Sequence, residues 1–467
     1  MTKDRRTLLV FASGTALALG LTTGCGPAEK TGSAPVPATA QPSASATGPV
    51  YAGLPDPGLQ GQPVWARAIS GNPRTVCPGP AEDTKTTATR CVLGDAVVLT
   101  EEVPGSGAGG EGQPQRFITR LLDAATGKQR AEYESVMSVV PSSGLRTGFN
   151  EGTSAPSAVG RWKDGSPALL IRSQPVPAGA SAVQDPSSAV YTMYSPAGEK
   201  LGSSEVKNEH PLALPVVDGF VQLKEEPEKL TYRPIEGGAD IPVTKIPGGD
   251  KPIGPGFGYY AEKKDDYDGK GRFLAVIDRL TGKEAWTTRE MTPPSPIAAH
   301  LRPGKRADTE LLPLSGSRAI LLWHAHTSDA VVMTTVDLAT GRRVAEGPSI
   351  DLGLMLKRLD DRTVVSPDGK TAVSQFGGKV IAWEAETGRE LWRPQAGQDL
   401  RPMAQSPGGV LYAEQSPDNK GFNALTGAPL SPYKEIPEFT SNGYGTVHDE
   451  GNLFVFRTAP SPAEGKS

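Results

Sequence analysis

Short apolar, β-branched runs recur along this chain, and most of them end in the same polar bend. Leu121-Leu122-Asp123-Ala124-Ala125-Thr126-Gly127-Lys128 aligns without gaps with Val276-Ile277-Asp278-Arg279-Leu280-Thr281-Gly282-Lys283 and with Thr335-Val336-Asp337-Leu338-Ala339-Thr340-Gly341-Arg342. Two more copies are Ala382-Trp383-Glu384-Ala385-Glu386-Thr387-Gly388-Arg389 and Gly421-Phe422-Asn423-Ala424-Leu425-Thr426-Gly427-Ala428. In each, an Asp, Glu or Asn stands three residues before Thr-Gly. An Asx side chain at that place can accept backbone N–H bonds across the bend. Gly supplies the positive φ that closes it without steric cost. The unit is thus a strand, a tight turn built on Gly127, Gly282, Gly341, Gly388 or Gly427, and a second strand. That second strand carries a bulky residue four positions past the Gly, Trp286 and Trp392. A further strand is predicted ahead of each unit, as over Ala319–His326, Thr371–Phe376 and Gly409–Glu414. Alternation is partial, as expected for sheets covered on both faces.

A degenerate sixth copy runs over Tyr194–Leu201, and a seventh over Tyr232–Val243 turns at Gly237-Gly238. The turn glycines at 127, 198, 238, 282, 341, 388 and 427 lie 71, 40, 44, 59, 47 and 39 residues apart. The shorter gaps fit one four-stranded propeller blade of ~40–50 residues. The longer ones require loop insertions, assigned to Ser143–Pro167 and Ser295–Thr309. No sustained helical periodicity intervenes, which disfavours a βα barrel. The fold class is all-β. The apolar-apolar-Asp-x-x-Thr-Gly-Lys-x-x-Trp pattern resembles the repeat of quinoprotein-type (PQQ-like) β-propellers, over about residues 59–458. Pro367-Asp368-Gly369-Lys370 with Val380-Ile381-Ala382-Trp383 also echoes WD40-type blades. Gly443–Val447 and Asn452–Phe456 read as middle strands of a last blade that lacks its outer strand. Pro63-Val64-Trp65-Ala66-Arg67 matches the outer-strand pattern of Leu391-Trp392. An N-terminal strand completing the last blade would remove an open edge and close the ring. Eight blades result, or seven if the Tyr232 unit is an insertion.

Composition supports a turn-rich β protein. Gly 55 plus Pro 44 is 99 of 467 residues, the hydrophobic fraction is 37 % and the charged fraction 21 %. The net charge of −4, without a long basic run, argues against a nucleic-acid-binding surface. Lys3, Arg5 and Arg6 precede an apolar run, Leu8–Leu21, that is short for a bilayer span and suits an export signal over 1–24. Arg5-Arg6 leaves general and twin-arginine export both open. Leu21-Thr22-Thr23-Gly24-Cys25 resembles a bacterial lipoprotein signal, with Thr22 in place of the usual Leu, Val or Ile. That resemblance implies cleavage before Cys25, lipidation of its thiol and anchoring on the extracytoplasmic face of a cell membrane. The alternative is a secreted protein with an incidental Cys. Residues 25–58 are rich in Pro, Ala, Ser, Thr and Gly and read as a flexible tether. Residues 459–467 read as a frayed tail.

Candidate chemistry is sparse. Cys77 and Cys91, 14 apart in an exported chain, are expected to form a disulfide, with two free thiols as the alternative. His324-x-His326 places two imidazoles on one face of a strand, a spacing that suits a transition metal. Flanking Leu321, Leu322 and Trp323, with no third ligand nearby, favour histidines packed at a sheet rim. Asp265-Asp266-Tyr267-Asp268-Gly269 lacks the twelfth-position Glu of a calcium loop and reads as a solvated hairpin tip. Gly254-Pro255-Gly256-Phe257-Gly258 lacks the Lys-Ser/Thr of a phosphate loop. The PQQ alcohol dehydrogenases among the propellers this repeat resembles use a catalytic Asp, calcium, a stacking Trp and often a Cys-Cys pair, and none of these can be carried onto a position here. No catalytic or metal-binding residue is therefore assigned, and no cofactor is expected. The reading is a monomeric, lipid-anchored propeller that docks a protein or peptide on one face, without nucleic acid and without enzymatic activity. A quinone-dependent or lyase-type ring-centre enzyme and a ligand sensor for a membrane signalling partner are the alternatives.

Overall fold

The structure is a computed structural model. It describes residues 49–460 except 54–55, 70–74, 79–84, 89, 105–113, 139–154, 175–187, 208–213, 218, 227–228, 244–251, 254–258, 266–268, 279–280, 316, 326, 352–361, 396–397, 399 and 416–417. These residues fold almost wholly into antiparallel sheets. The chain opens with β1 (Leu59–Ala68) and a hairpin, β2 (Thr75–Pro78) and β3 (Lys85–Ala88). Sheet I is then β4 (Arg90–Leu93), β5 (Ala96–Glu102), β6 (Pro114–Asp123) and β7 (Gln129–Ser138). Sheet II holds β8 (Ser157–Arg161), β9 (Pro167–Ser173), β10 (Ala189–Tyr194) and β11 (Lys200–Val206). Sheet III is β12 (Leu214–Val217), β13 (Phe220–Glu226), β14 (Lys229–Pro234) and β15 (Ile241–Val243). Sheet IV is β16 (Pro252–Ile253), β17 (Tyr259–Asp265), β18 (Arg272–Asp278) and β19 (Glu284–Thr287). Sheet V is β20 (Asp308–Ser315), β21 (Arg318–His324), β22 (Ala330–Asp337) and β23 (Arg343–Asp351). Sheet VI is β24 (Arg362–Val365), β25 (Thr371–Phe376), β26 (Lys379–Glu384) and β27 (Glu390–Trp392). Sheet VII is β28 (Arg401–Gln405), β29 (Val410–Gln415), β30 (Asp418–Asn423) and β31 (Pro429–Pro432). Sheet VIII is β32 (Glu438–Phe439), β33 (Tyr444–Asp449) and β34 (Asn452–Thr458), and β1 is its fourth strand.

Apart from β1 and the β2–β3 hairpin, the strands of each sheet form a meander in chain order. First strands touch first strands: β4 meets β8, β8 meets β12, β16 meets β20, β20 meets β24, β24 meets β28 and β32 meets β4. That convergence on one axis makes the fold a β-propeller. Closure is by the N-terminal strand. Trp65 stands opposite Val455 and Ala66 opposite Phe454, so Trp65 and Phe454 share a sheet. Pairing β1 with β34 covers the edge that β34 would otherwise leave open. The core is a series of apolar layers between neighbouring sheets. Leu274, Val276, Ala319, Leu321, Trp323 and Val336 fill the layer between IV and V. Ile320, Met333, Ile350, Ala372, Ile381 and Trp383 fill the one between V and VI. The Tyr232 unit supplies β14 and β15 of a sheet of its own.

Three expectations need correction. Sheet II has six strands, because β2 adds in parallel to the inner edge of β8 and brings β3 with it. Ser143–Pro167 is not wholly an insertion, since Ser157–Arg161 is the first strand of sheet II. The tether also ends before residue 58. Tyr51 packs edge-on against Phe454 and Phe456 with centroids 5.1 Å apart in both pairs, and Gly58 is buried. Ala459 N–H donates to the Gly58 carbonyl at 2.9 Å, so the first tail residue is tied down as well. Aromatic area and backbone donors on the outermost strands give these flanking residues something to bind, which composition alone does not reveal.

Cys77 on β2 and Cys91 on β4 are disulfide-bonded, with Cα atoms 5.6 Å apart, and both are buried. The bridge staples the added hairpin of sheet II to the first strand of sheet I. A buried hydroxyl cluster reinforces this seam: Thr75 Oγ1 lies 2.6 Å from Thr100 Oγ1 and 2.8 Å from Ser157 Oγ, and Thr100 Oγ1 lies 3.0 Å from Thr119 Oγ1. Replacing both cysteines by serine is expected to lower stability by about 3 kcal/mol, from the entropy of a loop of this size. Denaturant titration in non-reducing buffer measures it, and an unchanged midpoint would show that the staple contributes nothing.

Candidate interaction face

The five corners are one structure repeated. Asp123 Oδ1 accepts from Thr126 N at 2.8 Å and from Thr126 Oγ1 at 2.7 Å, while Gly127 N donates to Asp123 O at 2.8 Å. Asp337 does the same with Thr340 at 3.0 and 2.7 Å, and Asp278 and Asn423 accept from Thr281 N and Thr426 N at 2.9 and 3.1 Å. Glu384, one methylene longer, takes the Thr387 hydroxyl at 2.7 Å. All five glycines have φ between +64° and +76°. The Thr340 hydroxyl, foremost, holds the Asp337 carboxyl below its usual range. At Asp123 the Arg130 guanidinium does so, and Arg130 also grips both oxygens of Asp95 at 2.8 Å.

The corners at Gly127, Gly341, Gly388 and Gly427 are also clasps onto the sheet before them. Trp286 Nε1 on β19 donates to Leu338 O at 2.6 Å, and a Cβ at Gly341 would sit 2.6 Å from the indole. Trp392 repeats this with Ala424 O at 2.7 Å and Gly427, and Trp65 with Ala124 O at 2.8 Å and Gly127. The last of these joins sheet VIII to sheet I, so the ring's closing seam uses the same device as the seams between IV and V and between VI and VII. Between sheets I and II, Tyr133 stands in for Trp: its hydroxyl donates to Gly198 O at 3.0 Å, and burial raises its pKa to about 12. At sheet VI the backbone of Glu346 and Gly347 on β23 lies directly against Gly388. Each corner joins a third strand to a fourth, so the corners gather at one end of the sheets.

The opposite end has the reverse character. Turns at the corner end, such as 94–95, 124–128, 338–342 and 406–409, are short. At the other end the chain passes from sheet to sheet, as at 288–307, and there β5 joins β6 and β9 joins β10 through 11 and 15 residues. Within 288–307, a 3-10 turn at Thr288–Glu290 buries Thr288 and a one-turn helix at Ser295–Ala298 buries Ile297, while Arg302, Pro303 and Lys305 are exposed. Long loops on a rigid frame are where recognition residues are usually carried. The crossover end is therefore the candidate interaction face.

His324 lies on this end, at the close of β21, with Nε2 3.9 Å from Asp308 Oδ2, and His326 falls outside the described residues. Asp265 ends β17 at an exposed hairpin tip and accepts from Arg272 Nε at 3.0 Å, whereas Asp266, Tyr267 and Asp268 lie outside the described residues. So do Cys25 and the Gly254–Gly258 cluster. Among the described residues no three His, Cys, Asp or Glu side chains are grouped to hold a metal ion, and no helix is long and apolar enough to cross a membrane. Sequence reasoning missed the β2–β3 hairpin, which lies on the axial edges of β4 and β8. It also missed Asp56, whose Oδ1 accepts from Tyr412 Oη at 2.5 Å and from Gly58 N at 2.8 Å.

Residues 274–428 match the family model described as outer membrane protein assembly factor BamB. Over this stretch, from β18 to the corner of sheet VII, the chain carries PQQ-like propeller repeats. No curated protein matches the chain. Among solved structures it is similar to BamB from Moraxella catarrhalis, at 13 % identity over 79 % of this chain and 95 % of that one, with a TM-score of 0.35. It is similar to the computationally designed Ika8 protein at 14 % identity over 84 % and 98 %, with a TM-score of 0.37. It is also similar to Kluyvelomyces marxianus Hsv2, at 10 % identity over 65 % and 97 %, with a TM-score of 0.33.

Proposed function

We propose that this chain is a non-enzymatic binding scaffold, held by a lipid on Cys25 at the extracytoplasmic face of a bacterial membrane, and that it docks a protein or peptide through the crossover end. The observation that carries the reading is the contrast between the two ends. Corner polar groups are consumed in internal hydrogen bonds and in clasps to the neighbouring sheet. The crossover end invests its length in loops that the frame does not need. The β2–β3 hairpin on the axial edges of two first strands supports this reading over a ring-centre enzyme, which needs open space there.

Photo-crosslinking residues placed one at a time in the full chain test the docking reading. Arg302 and Thr327 sample the crossover end, and Lys128 and Lys283 the corners; all four are exposed. A discrete crosslinked protein is expected from Arg302 or Thr327 and from neither lysine. Equal labelling at both ends, or substrate turnover by the purified protein, would overturn the reading. For the anchor, wild-type protein is expected in the detergent phase on phase separation, and Cys25→Ala in the aqueous phase.

A further inference from the structure

We propose that the chain just ahead of β1, residues 49–53 and 56–58, is a proton-sensitive latch. Docked, it lies in the seam between sheets VII and VIII; released, it becomes part of the tether. Its two attachments differ in kind. Tyr51 is an aromatic anchor set edge-on to Phe454 and Phe456. Asp56 is a part-buried carboxylate that receives the hydroxyl of Tyr412, a residue with no exposure to water on β29. A Cβ at Gly58 would lie 2.1 Å from that hydroxyl, and one at Gly421 would lie 2.5 Å from Pro57, so glycines at both places admit the docked chain.

The groups bonded to Asp56 are neutral, and the charged groups beyond them are acidic but for Lys434. Tyr412 faces it from β29, and Tyr433, just past β31, has its own ionisation disfavoured by burial, by Glu414 and by Asp56. Tyr51, on the latch itself, faces Asp449, Asp56, Glu435 and Lys434. Lys434, the cation of this group, donates to Asp449 at 2.6 Å. Burial lifts the Asp56 carboxyl from 3.8 to about 6, against the opposing hydrogen bonds from Tyr412 and Gly58. Docking thus tightens Asp56's hold on its proton, and protonation must favour docking by the same factor. Docking is strongest below about pH 4, weakens as pH rises toward 6, and above 6 keeps only the strength of the charged form. A shift of about two units corresponds to a change on the order of 100-fold in the docking equilibrium across that range.

Release has a geometric consequence. Gly58 sits at the corner end, where Leu59 stands opposite Thr458. Tyr51 lies toward the crossover end, against Phe454, the third residue of β34. Undocking therefore moves the root of the tether from the crossover end to the corner end. It also adds about ten residues, up to about 35 Å of reach. The inference needs no lipid on Cys25 and stands apart from the docking reading.

Hydrogen exchange on the full chain tests it, read at the amides of Gly58, Leu59 and Ala459 and corrected for intrinsic rates. Protection at pH 5 is expected to exceed that at pH 7.5 by about tenfold. Asp56→Asn mimics the neutral carboxyl, so its protection should be independent of pH and higher than wild type at pH 7.5. Tyr51→Ala should lower protection at both pH values while keeping their ratio. Amides of Val98 and Leu321 serve as a check that each variant is folded. Wild-type protection that does not change with pH, or an Asn variant that keeps the wild-type pH dependence, would overturn the latch.

Discussion

Trp286→Ala is expected to destabilise the protein by about 3–5 kcal/mol, the cost typical of deleting a buried large aromatic. The indole is 9 % exposed and joins an apolar layer with Val276, Ala319 and Leu338. Its removal leaves a cavity between sheets IV and V, and it takes the Nε1 donor from Leu338 O. Trp286→Phe keeps most of the apolar area and loses the donor, so it should cost about 1–2 kcal/mol. Equilibrium denaturation of the two variants separates packing from hydrogen bonding. A loss below 1 kcal/mol for the alanine variant would show that the clasp does not hold the two sheets together.

Gly388→Ala is expected to be much more damaging than Gly378→Ala, although the two positions have nearly the same positive φ. Gly388 has φ +76° and Gly378 +79°, so each substitution pays the left-handed strain of about 1–2 kcal/mol. They differ in what the new methyl meets. At 378 nothing lies within 4 Å, whereas at 388 a Cβ would be 1.9 Å from the Glu346 carbonyl oxygen and 2.9 Å from Gly347 N. Those are backbone atoms of β23, so sheets V and VI must separate locally or the corner must unfold. The expected difference in thermal denaturation is at least 2 kcal/mol, from overpacking alone. Equal losses at the two sites would mean that the corner does not bear on the preceding strand.

The corners were legible in the sequence because every interaction that builds them is local. An Asx carboxyl, a Thr three residues on and the next Gly define the bend without reference to the rest of the chain. The closing strand was legible too, because Trp65 repeats the outer-strand signature of Trp392, and both indoles end on equivalent carbonyls. The clasp between sheets I and II was not, since Tyr133 does the work of Trp through a hydroxyl that no repeat pattern marks. The candidate face was legible only as surplus length between repeats.

What the sequence determined by itself is the repeating hairpin, its turn chemistry and the strand that closes the ring, because bonds spanning three or four residues need no partner from elsewhere. Only the tertiary structure decided where the β2–β3 hairpin pairs, which end of the sheets carries the long connections, and what the docked segment touches. Asp56 and Tyr412 lie 356 residues apart, and β2 selects an edge that follows it by about eighty residues. Contacts of that separation leave no periodic trace in the chain, because the packed sheets, not the neighbouring residues, bring the two groups together.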